Sequence, residues 1–405
     1  MSRFSQRARN LILNAGVLAA STAFGLLCLE VAARVYYAQA GGGRERNERA
    51  RYTEHDPYLG WRKRAGARVT YERREYRTEV AINSLGERDV ERSLQKPPGS
   101  FRILALGDSF VEAYSVGFAE TLTQRLEKRV ATPGCPIEVL NAGTGGWSTD
   151  QEYLYFIRRG VHYEPDVVIL FVYYNDIVQN TWRVYWGAPK PLLGLEDGRL
   201  VVLHSPITPP APKPGGGSAP SGRITGSAAF LWARERLMYG APRLFNRLAG
   251  LGLWEPVGGE GPDDTFRVYK ARRRIAFIEE AWELTDAILR ELARRAEETG
   301  ARFAVAYVPS QMEVDDRSWE LTRLRFGLNE TWDRGFVLKR VQEIGGSAGF
   351  PVVDLTPNLV AAGTGGSDRV YFPVDGHWNA RGHAAVAQAL EAFLRERGWL
   401  PACAP

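Results

Sequence analysis

The stretch "ILALGDSF" occupies residues 103–110, with Val111 and Glu112 after it, and its reading decides the fold. Phe101, Ile103, Leu104, Ala105 and Leu106 form an apolar run of strand length, which Gly107-Asp108-Ser109 breaks. From Ala119, "AETLTQRLEKRV" places Leu122, Leu126 and Val130 four apart on one face with charges on the other, the pattern of an amphipathic helix. Strand, turn, helix puts Ser109 at the carboxyl end of a strand, where open parallel sheets bind their ligands. Taken alone, the tripeptide also reads as a plain turn whose Asp and Ser bond nearby amides.

Working outward, the patterning predicts buried strands at 137–141, 166–173, 303–308 and 352–355, with helices at 149–160, 268–299, 336–343 and 380–396. Alternating strands and helices imply a parallel sheet covered on both faces, an α/β sandwich occupying 101–405. Between about 180 and 264 the alternation fails, and "SPITPPAPKPGGGSAPSG" is too poor in large apolar residues to pack as a core. That segment reads as an insertion, a lid, docking surface or loose loop. Its flanks read as a hairpin turning at Asp197-Gly198 and an amphipathic helix in "AFLWARERLMYGAPRLF".

Upstream, 11–29 runs "LILNAGVLAASTAFGLLCL" without a charge behind Arg3, Arg7 and Arg9. About 20 such residues cross a bilayer core of about 30 Å as a helix. The expectation is a short tail at 1–10, an uncleaved anchor at 11–33, and a connector with a small β-rich lead-in at 34–100. A cleaved signal peptide is the rival, but its apolar region would be shorter, and Glu30 and Arg34 intervene before "AQA" at 38–40. Arg34, Arg44, Arg46, Arg49 and Arg51 follow the span, a count that argues against a translocated C-terminus.

The formal charge of +5 is modest, and the cations are mostly Arg scattered along the chain, so no nucleic-acid stripe is expected. Cys28, Cys135 and Cys403 lie far apart without C-x-x-C spacing, which removes a thiolate metal cluster and leaves a 135–403 disulfide open.

A serine hydroxyl attacks only when a neighbouring base takes its proton. Of five histidines, His55, His162 and His204 lie in the lead-in, before a strand and in the insertion. His383 falls inside the last helix and reads as structural. In "YFPVDGHWNARGHAAVAQALEAFL", Asp375 stands two residues from His377 on a loop, where a carboxylate can orient the ring and stabilise an imidazolium. The bland reading there is a helix N-cap by Asn379 or Asp375. Acyl transfer also needs donors for the oxyanion, and "VLNAGTGGWSTDQE" and "VILFVYYNDI" end the second and third strands with glycines and with Asn175-Asp176. Each of these is also an ordinary strand end.

Together, "GDSF", "NAGTGGWS", "YYND" and "DGHWN" resemble the sequence blocks of the SGNH/GDSL hydrolase superfamily in order and spacing. "INSLGERD" and the leading apolar helix resemble its membrane-anchored bacterial branch. The resemblance implies a flavodoxin-like three-layer αβα sandwich. It implies Ser109 as nucleophile and first oxyanion donor, Gly146 and Asn175 as the other donors, His377 as base and Asp375 as its orienting partner. It further implies a bacterial inner-membrane protein with a periplasmic catalytic domain, an acylated small molecule or glycan as substrate, and neither metal nor cofactor. Two features depart from the family pattern: Tyr173 replaces a glycine of the third block, and Gly376 alone separates Asp375 from His377. The short "DGHW" form resembles that of periplasmic proteins that O-acetylate polysaccharides. Three functions follow: a serine esterase, an O-acyltransferase using the same acyl-enzyme, and a tethered binding protein that lost the chemistry.

Overall fold

Residues 103–106 alternate between two buried faces: Leu104 and Leu106 belong to one apolar core, Ile103 and Ala105 to another. The same alternation runs through the neighbouring strands and makes the sheet the middle layer. The computed structural model describes residues 3–39, 48–73, 75–132, 134–185, 187–209, 227–249, 264–270, 275–363 and 369–402. Strands β1 (Phe101–Gly107), β2 (Ile137–Gly143), β3 (Val167–Tyr173), β4 (Arg302–Val308) and β5 (Val352–Asp354) lie side by side as β2-β1-β3-β4-β5, all parallel. Ile103 pairs with Val139 on one side and Val167 on the other. This is the doubly wound flavodoxin-like order, and its direction of growth reverses between β1 and β3.

Helix α1 (Leu122–Val130) buries Leu122, Leu126 and Val130 on the face that carries Ile103. The opposite face lies under α2 (Thr149–Arg158), α3 (Ala276–Glu298) and α4 (Phe336–Ala348), while α5 (Ala380–Glu396) returns to the first. Each fully buried Leu or Val of these stripes contributes roughly 1.5–3 kcal/mol. The α/β sandwich read from the sequence is therefore the fold of the chain.

Two helix boundaries differ from the periodicity. Helix α3 starts at Ala276, not 268, because Asp264–Tyr269 is a 3-10 turn whose Phe266 ring stacks on Trp332 at 5.5 Å. Its apolar residues serve tertiary packing, which mimics helical periodicity. Helix α4 continues past 343 through Gly345, where a Cβ would lie 2.6 Å from Val352 Cγ2 and 2.9 Å from the Phe350 carbonyl oxygen. Only glycine lets the helix approach the strand that closely.

The chain divides into two compact units, Met1–Arg46 with Lys213–Pro256, and Asn47–Pro212 with Val257–Pro405. In the first, the helix Arg3–Gln39 contains Leu13–Tyr36, of mean hydropathy 1.8, long and apolar enough to cross a membrane. Its Glu30 carboxylate accepts the Ser227 hydroxyl at 2.6 Å and the Ala228 and Ala229 amides at 3.1 and 3.0 Å. The predicted amphipathic helix of the insertion is two helices, Ala228–Gly240 and Pro242–Ala249, since Pro242 cannot donate to a continuing ladder.

In the second unit, the lead-in forms two antiparallel hairpins, Thr53–Asp56 with Gly60–Lys63 and Arg68–Glu72 with Arg77–Ala81. A third hairpin, Leu192–Glu196 with Arg199–His204, turns at Asp197 (φ +50°) and Gly198 (φ +74°), the left-handed pair of a two-residue turn. Most of the Pro, Gly and Ser run lies outside the described residues. Cys135 is disulfide-bonded and Cys28 is free, while Cys403 lies outside the described residues.

Candidate active site

Strand β1 ends at Gly107, and the chain turns at once into the short helix Ser109–Glu112. Asp108 caps it, its Oδ1 accepting the Phe110 amide at 2.8 Å. That geometry leaves Ser109 half-buried at the mouth of the strand rather than in the core.

His377 arrives from the other end of the chain. Its Nε2 lies 2.7 Å from Ser109 Oγ, and its Nδ1 lies 2.5 Å from Asp375 Oδ1. A carboxylate can only accept, so Nδ1 donates to it and Nε2 is left to accept the serine proton. The loop is shaped by the Phe372 amide donating to the His377 carbonyl and the Gly376 amide to the Phe372 carbonyl, both at 2.8 Å. Asn379 is the N-cap of α5, accepting the Arg381 and Gly382 amides at 2.9 and 3.1 Å, which leaves the Asp375 carboxylate to the imidazole.

Groups that sequence reasoning missed hold this pair. Tyr76 donates to Asp375 Oδ2 at 2.8 Å, and Glu75 accepts the Asp375 amide at 2.8 Å. Both sit at the turn of the second lead-in hairpin, where strand alternation gives no sign of what the turn faces. The rings of Phe110 and Tyr114 pack on the imidazole at 4.8 and 5.2 Å.

Burial pulls the His377 pKa down, but the hydrogen bond and charge of Asp375 outweigh it and hold the imidazole above its ordinary value. Burial likewise raises Asp375, and its bonds with His377 and Tyr76 more than offset this, so the carboxyl lies below its usual range. His383 is a core residue, as read from its place in the helix: it is 1% exposed, edge-on to Trp378, and burial depresses its pKa to about 3.

Ser109, His377, Asp375, Gly146 and Asn175, the five residues singled out in the sequence, line one cavity of about 180 Å³. Gly146 follows β2 with φ +71°, and a Cβ there would lie 2.7 Å from Tyr185 Cε1 and 2.8 Å from an Arg49 guanidinium nitrogen. The loop before it is pinned where the Gly145 amide donates to Glu112 Oε2 at 2.5 Å, while Tyr52 donates to Glu112 Oε1 at 2.7 Å. Asn175 enters from the helix after β3, and Tyr173, at the departure from the family pattern, also lines the cavity with its ring 4.8 Å from Phe110.

Behind these loops Asp150, Glu152 and Asp176 are fully buried. Lys190, from the insertion's near flank, meets Asp150 Oδ1 at 3.2 Å, Ser148 Oγ at 2.5 Å and the Gln179 carbonyl at 2.7 Å. Burial and the neighbouring carboxylates Asp176, Asp108 and Asp150 push the Glu152 pKa well above the usual range.

Among known proteins, residues 269–404 match the family model described as "SGNH hydrolase-like domain, acetyltransferase AlgX". No curated protein matches the chain. Similar solved structures include a lipase/acylhydrolase from Enterococcus faecalis, 13% identical, TM-score 0.36, covering 73% of this chain and 96% of that one. The acetyl xylan esterase AlAXEase is 12% identical at TM-score 0.36, covering 73% of this chain and 100% of its own. A GDSL-like lipase from Bacteroides thetaiotaomicron is 9% identical at TM-score 0.32, covering 73% and 88%. Residues 269–404, which include Asp375 and His377, are thus similar to an SGNH hydrolase-like domain.

Proposed function

We propose that the chain is a serine esterase that removes acyl groups, acetyl foremost, from an ester such as a cell-envelope glycan, anchored in the bacterial inner membrane with its catalytic domain in the periplasm. The observation that carries this reading is the continuous relay from Asp375 through His377 to Ser109, at 2.5 and 2.7 Å. In the first half-reaction Ser109 Oγ bonds to the ester carbonyl carbon while Nε2 takes the hydroxyl proton. The tetrahedral oxyanion is received by the Ser109 and Gly146 amides and the Asn175 side-chain amide. Collapse breaks the ester C–O bond, and His377 returns the proton to the departing alkoxide. Water then attacks the acyl-enzyme carbonyl, giving its proton to Nε2; collapse breaks the bond to Ser109 Oγ, His377 returns that proton to Oγ, and the carboxylic acid leaves.

A second reading is an O-acetyltransferase, in which a sugar hydroxyl replaces that water. It is favoured by the acetyltransferase named in the family model over 269–404. The purified full chain is given an activated acetyl ester with and without an acceptor sugar. Free acetate in both mixtures supports hydrolysis; acetylated sugar at the expense of acetate supports transfer. Turnover by Ser109→Ala equal to the parent, with equal fluorophosphonate labelling, overturns both in favour of a binding protein.

A further inference from the structure

A second concavity, of about 230 Å³, is lined by Thr144 and Trp147, the residues that flank Gly145 and Gly146. It is smaller than the roughly 300–1,000 Å³ of pockets for drug-sized ligands, so it holds one small unit. Its walls come from the first lead-in hairpin, from 85–87 and from the C-terminal end of α2.

The charges of the walls do not balance. Arg62 meets Glu54 at 2.9 Å and Asp56 at 3.8 Å, and Lys63 Nζ meets Glu87 at 3.0 Å. Arg158 and Arg159 make no ion pair among the described residues. Arg158 is exposed and its guanidinium stacks 3.4 Å from the centre of the Tyr58 ring, which fixes the fork without using its donors. Arg159 donates to the Leu85 carbonyl and interacts with the Tyr163 hydroxyl, while the Glu87 carboxylate that attracts it is already paired with Lys63. Arg158, Arg159, the Tyr58 ring that Arg158 covers and the Thr144 loop therefore line one small space.

We propose that this concavity is a binding site for an oxyanion, a carboxylate or phosphate, carried on a single sugar-sized polyol. Planar guanidinium forks match both groups bidentately, and the excess of cations in the lining, Arg62, Lys63, Arg158 and Arg159 against Asp56 and Glu87, favours an anionic occupant over a neutral sugar. The loop is shared: Lys63 Nζ donates to the Gly143 carbonyl and to Thr144 Oγ1 at 3.0 Å, so the wall of this site is also the support of Gly146. The assignment does not depend on Ser109 being a nucleophile.

Glucuronate, glucose 6-phosphate and glucose are titrated by calorimetry into the detergent-solubilised full chain and its variants. The expected result is saturable binding of at least one anionic probe, at least tenfold tighter than glucose, weakened by 0.5 M salt. Preference for glucuronate identifies the carboxylate, and preference for glucose 6-phosphate the phosphate. Arg158→Ala and Arg159→Gln each weaken binding at least tenfold, while Ser109→Ala binds as the parent does, which separates this site from the serine cavity. Both Arg variants are checked for an unchanged circular dichroism spectrum, and Tyr58→Phe, which retains the ring, binds as the parent. Glucose binding as tightly as the anions, anion binding unchanged in both Arg variants, anion binding lost in Ser109→Ala, or no saturable binding of any probe overturns the proposal.

Discussion

Asp375→Asn tests the proton relay at the point where its geometry is most specific. In the parent, Asp375 Oδ1 accepts from Nδ1 at 2.5 Å while Oδ2 accepts from the Tyr76 hydroxyl at 2.8 Å. An asparagine that keeps the Tyr76 bond turns its carbonyl oxygen to Tyr76 and its NH₂ to Nδ1. The imidazole then carries its proton on Nε2, facing Ser109 with a donor where an acceptor is needed. A tautomer inverted in this way costs on the order of 10⁴ in kcat, about 5.5 kcal/mol of barrier. The acid limb moves as well. His377 must be neutral to act, and its parent pKa lies above the ordinary imidazole value, so parent kcat/KM falls as pH drops through a point above about 6.5. Without the Asp375 carboxylate the largest remaining influence is burial, which favours the neutral ring against the smaller pull of Asp108 and Glu112, so the residual activity of the variant persists to lower pH. The assay is release from an activated acetyl ester between pH 4.5 and 9. Tyr76→Phe in the Asp375→Asn background frees the amide to rotate and restores about tenfold. Retention of activity within tenfold in Asp375→Asn, or an unmoved acid limb, refutes the reasoning.

Two further outcomes follow from named contacts. Gly146→Ala places a methyl 2.7 Å from Tyr185 Cε1 at a φ of +71°, which moves the amide proposed as an oxyanion donor, and kcat is expected to fall about 10²–10³-fold with KM changing little; steady-state kinetics within threefold of the parent count against Gly146 as a donor. Lys190→Met leaves the fully buried Asp150 without its cation and is expected to destabilise the fold by roughly 3–5 kcal/mol, read as a lowered urea midpoint; a midpoint at the parental value means the buried pair is not needed.

What the sequence made legible was what short-range chemistry determines. Leu104 and Ile103 announce a two-faced strand by type alone, and a parallel sheet covered on both faces follows from strands alternating with helices, while the flavodoxin-like fold is implied only by the family resemblance. Ser109, Asp375 and His377 could be singled out because each stands in a turn beside a strand or helix whose periodicity fixes its direction. Tyr76, Glu75, Arg49 and Lys190 could not. Their neighbours in space are set by how the lead-in and the near flank of the insertion settle on the sheet, and no local pattern reports that. The same limit explains helix α3, where buried Phe266 and Tyr269 imitate a helical stripe while answering to Trp332 and to Glu313, whose Oε2 accepts the Tyr269 hydroxyl at 2.8 Å.

The upstream block "INSLGERD" shows why the lead-in is inseparable from the site. Asn83 Oδ1 accepts the Leu85 and Glu87 amides at 3.0 and 2.8 Å, which folds the block on itself. Glu87 then accepts the Tyr155 hydroxyl at 2.6 Å and pairs with Lys63, which holds the 143–144 loop. Arg88, fully buried with its pKa lowered by burial to about 10, donates to the Glu112, Ala113 and Val116 carbonyls around the end of the Ser109 helix. Asp89 accepts the Asn141 amide of β2 at 3.2 Å. A buried guanidinium whose donors are taken by carbonyls is costly to leave unmatched, so the helix end is satisfied only when this block is in place. Those carbonyls lie at the far end of the helix that presents Ser109. The lead-in therefore positions the serine from behind, as Tyr76 positions the imidazole from in front.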